Sequence, residues 1–73
     1  MSAMNSTQLL LSDVEAFLAE TGMEASTLGQ KSVRDWKVVR RLREGGSVTL
    51  RNADRLREFM EKHRRSRSAE LAV

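Results

Sequence analysis

The stretch VRDWKVVRRLREGG, residues 33–46, decides how this chain is read. Apolar residues recur in it at helical spacing, an aspartate stands where a helix would start, and two glycines stop it. Asp35 is a good N-cap, so the pattern predicts a helix from about residue 36 to Glu44. Val39 and Leu42 fall on its inward face with Val38 alongside. The other face carries Trp36, Lys37, Arg40 and Arg41, with Arg34 just before it.

Upstream, Leu10, Val14, Phe17 and Leu18 recur at i, i+4, i+7 and i+8, one face of a first helix. Ser12 and Glu15 are spaced as a capping box, and Thr7 is an alternative start one turn earlier. Thr21 and Gly22 end this helix, with Gly22 suited to a left-handed residue. A short second helix is expected over 25–32, with Leu28 inward and Gly29 weakening it. Downstream, Thr49 caps a fourth helix whose inward stripe is Ala53, Leu56, Phe59 and Met60, fading near residues 63–65. No run alternates as a strand. The expected fold is all-α: a compact bundle of four short helices containing a helix-turn-helix. Residues 1–6 are expected to be a flexible N-terminus, 7–64 the folded domain and 65–73 a flexible basic tail.

Seventy-three residues make one small domain with a marginal core, and no cysteine is present to staple it. The lack of cysteine excludes a disulfide scaffold, a thiolate zinc site and a thiol nucleophile. No segment approaches the roughly 20 apolar residues of a membrane span, and no secretory signal is expected from the N-terminal pattern. The expected setting is the cytoplasm, in association with the nucleoid.

The net charge of +3 conceals an asymmetry. Residues 1–30 hold four acids and no lysine or arginine, whereas residues 31–73 hold all 13 basic residues and a net +7. A basic half of this kind suits a polyanionic partner. Enzymatic machinery is missing from the pattern. His63, the single histidine, sits among Lys62, Arg64 and Arg65 with no ligand partner at useful spacing, and reads as a surface residue near a helix end. The serines lack an arguable base and orienting acid. No cofactor, no metal and no catalytic residue is expected.

Helices two and three with their turn have the size of a helix-turn-helix unit. A helix fits the major groove of DNA, where arginine or lysine donates to guanine O6 and N7. Arg34, Trp36, Lys37, Arg40 and Arg41 are therefore the candidate DNA-binding residues. The same cations are also readable as a solvated helix face. Trp36 either covers the edge of the core or contacts a sugar or base methyl, and partial burial is the expectation. Ser26, Thr27, Lys31, Arg64, Arg65 and Arg67 are candidates for phosphate contact.

Four pieces in order, FLAETGM (17–23), TLGQKSV (27–33), VVRRLREGG (38–46) and TLRNADRLREFM (49–60), resemble the lambda-repressor-like helix-turn-helix superfamily, in particular short phage-type regulators of alphaproteobacteria. The resemblance spans about residues 10–62. In its terms Leu28–Gly29 matches the common Leu-Ala of helix two, Val39 and Leu42 the inward pair of the recognition helix, and Gly45 the glycine that closes it. It implies sequence-specific binding of double-stranded DNA by a bacterial transcription regulator. The chain departs from the superfamily at Val33, where a turn glycine is usual. Valine disfavours positive φ, so a longer connection is expected, with Val33 inward and Asp35 capping. The glutamines that often open helices two and three are also absent, which leaves base readout to arginine and lysine.

A reader this small is expected to work as a homodimer, and another transcription protein is a further expected partner. The competing reading is a protein-interaction module that docks a transcription partner through the acidic first helix and the helix-four apolar stripe.

Overall fold

The computed structural model describes residues 6–72 and contains four helices in the order α1 (Ser6–Thr21), α2 (Ala25–Val33), α3 (Val38–Arg43) and α4 (Leu50–Ala72). Among the described residues there is no strand. Residues 1–5 of the expected flexible N-terminus lie outside them, and Ser6 is already helical. The Ser12–Glu15 capping box does not start α1, because α1 begins at Ser6 and Ser12 lies within it.

Helical periodicity chooses what each element buries. Leu10, Val14 and Phe17 line the inner face of α1. Leu28 and Val33 do so on α2, Val38, Val39 and Leu42 on α3, and Leu56 and Met60 on α4. Leu18, Ala53 and Phe59 close the edges of this cluster, half-buried. α2 packs against both α3 and α4, and α1 packs on α3.

The helix ends follow local chemistry. Gly22 takes φ 72° and its N–H reaches the Leu18 carbonyl at 2.9 Å, closing α1. Thr21 returns its hydroxyl to the Phe17 carbonyl at 2.8 Å. α3 ends in a Schellman motif: Gly46 N–H donates to Arg41 O at 2.8 Å and Gly45 N–H to Leu42 O at 3.1 Å, with Gly45 at φ 88°. Thr49 caps α4 by accepting the Asn52 N–H at 3.2 Å.

Two expectations fail in α4. It is not short, and it does not fade at 63–65: the helix continues to Ala72, through most of what was expected to be a flexible basic tail. Two arginines of this stretch clasp α1. Arg64 Nε donates to Glu20 Oε1 at 2.9 Å, and Arg67 Nη1 donates to the Glu20 backbone carbonyl at 2.8 Å. The second bond satisfies one of the carbonyls that the C-terminal turn of α1 leaves without a helical partner. Arg65 adds an i, i+4 pair with Glu61.

His63 is likewise not a surface histidine at a frayed end. It is half-buried in mid-helix, 5.3 Å edge-on from Phe17 and stacked at 6.2 Å on Phe59. Phe17 and Phe59 themselves meet edge to face at 6.4 Å, so the three rings seal the junction of α1 and α4.

Candidate nucleic-acid interface

The connection between α2 and α3 is the four residues 34–37. Val33 stays helical and buried, and the left-handed turn falls on the next residue: Arg34 has φ 58° and ψ 32°. The inward Val33 is as the sequence led us to expect. The N–H groups of Arg34 and Asp35 both point at the Gly29 carbonyl, the latter at 3.2 Å. This draws the turn down onto α2. A β-carbon at Gly29 would collide with the Asp35 carbonyl and stand 2.9 Å from Val38 Cγ1. Gly29 is therefore required by close packing, a role beyond weakening a helix.

Asp35 organises the other half of the turn. Its Oδ1 accepts the Lys37 N–H at 3.0 Å, its carbonyl accepts the Val38 N–H at 3.2 Å, and its Oδ2 lies 3.3 Å from Arg41 Nη2. These bonds make a turn of residues 35–37, so α3 begins at Val38 and spans six residues where 36–44 was expected. Trp36 and Lys37 belong to the turn and precede the helix.

With Val38, Val39 and Leu42 buried, a rotation of about 100° per residue leaves Arg40 pointing away from the core and Arg41 and Arg43 on its flanks. Each of the three meets a carboxylate. Arg40 Nε is 3.1 Å from Glu44 Oε1, Arg41 pairs with Asp35, and Arg43 Nη2 is 2.7 Å from Glu15 Oε1 on α1. All three pairs are solvent-exposed in large part, so each is weak and exchangeable. Arg43 was not among the sequence candidates, and its partner lies 28 residues away, beyond any local pattern.

Trp36 is 53% exposed, so it is partly covered as expected, but it is not among the residues packed against the core. The turn holds it between Asp35 and the exposed Lys37. The Lys37 ammonium stands 5.1 Å from the centre of its ring. Lys31 and Arg34 are exposed and, among the described residues, without a carboxylate partner, as are Arg51, Arg55, Arg57 and Lys62 on α4. Ser26 is exposed and Thr27 half-buried in the first turn of α2. Arg64 and Arg67 are engaged with Glu20 and Arg65 with Glu61, where mobile charges were expected.

Among the described residues no cluster of three or more His, Asp or Glu side chains is placed to hold a metal ion, and no helix is long and apolar enough to cross a membrane. No family model, no curated protein and no solved structure matches this chain.

Proposed function

We propose that the chain is a sequence-specific, double-stranded-DNA-binding transcription regulator of the lambda-repressor-like kind, with α2, the turn and α3 acting as a helix-turn-helix. The observation that carries this reading is the surface around Asp35. There a pinned turn and a short helix present Arg34, Trp36, Lys37, Arg40 and Arg41 outside the core. A six-residue helix is about 9 Å long, so the turn residues have to share the groove contacts with it. Among the described residues Lys31, Arg34 and Lys37 have no carboxylate partner, and they suit phosphate or base contact directly. Arg40 and Arg41 exchange Glu44 and Asp35 for DNA on binding.

In this reading the protein is not an enzyme and needs no cofactor. It works in the cytoplasm at the nucleoid, as a homodimer on a two-fold site. Its control comes from its abundance or from another transcription protein. The alternative is a partner-docking module. In it Phe59 is half-buried against Phe17 and His63, and Glu15 and Glu20 exchange Arg43 and Arg64 for a partner.

Selection from random duplex oligonucleotides with the purified protein tests the proposal. A recurrent motif is expected, its symmetry reporting the number of copies bound. Affinity for the selected site should fall with salt at a log–log slope of about −0.9 per phosphate neutralised. Failure to enrich any sequence, with no salt-dependent binding to duplex DNA, would sink it.

A further inference from the structure

Trp36 is the only tryptophan, and both phenylalanines are spoken for: Phe17 is fully buried, and Phe59 is half-buried against the core. A lone exposed ring would mean little by itself. Here, however, its backbone is fixed on both sides. Arg34 and Asp35 N–H groups bind the Gly29 carbonyl before it, and Asp35 accepts from Lys37 and Val38 after it. Its chain neighbours are Asp35 and Lys37, and the Lys37 ammonium already stands over the ring.

The chemistry of the duplex limits what such a ring can touch. Base faces are covered by their neighbours in the stack, so a side chain in the groove meets base edges. The one apolar group on a major-groove edge is the C5-methyl of thymine. Single strands do offer base faces, but their binders line up several aromatics as a platform, and the described surface offers one ring, crowded by an ammonium.

Resting on the DNA-binding reading above, we infer that Trp36 is a specificity-determining residue that recognises the C5-methyl group of a thymine, with Lys37 held beside it to donate to the acceptor edge of the same or the adjacent base. The site therefore contains at least one thymine whose methyl group packs on the indole. Because Trp36 lies outside the core, its replacement leaves the fold in place.

The test uses the duplex selected by the full-length chain. Each thymine is replaced by uracil in turn, and affinities are measured for wild type, Trp36→Phe and Trp36→Ala, with circular dichroism melts of all three. At one position per half-site, loss of the methyl should weaken wild-type binding about fourfold, the equivalent of one methyl group left exposed. Trp36→Phe should retain part of that sensitivity and Trp36→Ala none. Three results overturn the inference while leaving duplex binding intact: uracil tolerated at every position, undiminished uracil sensitivity in Trp36→Ala, or a selected site without thymine. A preference for single-stranded over duplex DNA overturns it as well. Absence of binding to any DNA removes the functional reading on which it rests.

Discussion

The backbone carbonyl oxygen of Asp35 occupies the space in which a β-carbon on Gly29 would stand, and Val38 Cγ1 closes the same space at 2.9 Å. The contact is between the middle of α2 and the turn that leads into α3. It sets how closely the two elements approach, and with it the position of Trp36 and Lys37.

Gly29→Ala is therefore expected to destabilise the protein. Alanine in a helix interior is worth about 0.5–1 kcal/mol over glycine. Overpacking against a backbone carbonyl, which cannot rotate out of the way, costs roughly 1–3 kcal/mol. Urea or thermal melts followed by circular dichroism decide the sign. A higher melting temperature would mean that the turn can lift off α2 freely.

Arg34 and Val33 should respond in opposite directions to glycine. Arg34 sits at φ 58°, a region that costs an L-residue about 1–2 kcal/mol. Arg34→Gly should thus stabilise by roughly 0.5–1 kcal/mol after glycine's own entropic penalty. It should also weaken DNA binding, since the guanidinium goes with it. Val33→Gly removes a buried side chain from a right-handed helical position and should lower the melting temperature. Equal shifts in the two variants would place the strain elsewhere.

Arg40 and Glu44 form a pair whose members should act oppositely on DNA. Arg40→Ala should weaken binding to the preferred site by about 1–3 kcal/mol and narrow the gap to random duplex. Glu44→Gln removes a carboxylate that competes with DNA for Arg40, and should tighten binding while leaving stability nearly unchanged. Affinities of both variants for both DNAs at two salt concentrations provide the check. Equal weakening on both DNAs by Arg40→Ala would make Arg40 a phosphate anchor and leave the reading to Arg34, Trp36 and Lys37.

Arg64 and Arg67 should matter for folding before they matter for binding. Both grip Glu20 at the end of α1. Replacing both by Ala should cost roughly 1 kcal/mol, a modest figure because the contacts are exposed. Hydrogen exchange should show faster opening of the last turn of α1 and of α4 beyond His63. An unchanged melt and unchanged exchange would restore the view of residues 64–67 as unattached charges.

Amino-acid sequence alone determined the number of helices and what each buries. Leu10, Val14 and Phe17, then Leu28, then Val38, Val39 and Leu42, then Leu56 and Met60 are read from spacing because a helix repeats within the chain's own next turn. Gly22, Gly45 and Thr49 mark helix ends for the same reason: a cap is made by atoms two to five residues away. Tertiary structure decided everything that needed a distant partner. Arg43 finds Glu15 across 28 residues, and Arg64 and Arg67 find Glu20 across 44 and 47, contacts that no local pattern announces. Local spacing suggested that Gly29 was a flaw in α2 and that Trp36 was the first residue of a helix. Once the turn folds back, its carbonyl leaves no room for a side chain at 29. The bonds to Asp35 then hold residue 36 in a turn that faces water, because the approach of one backbone to another is not written in the periodicity of either.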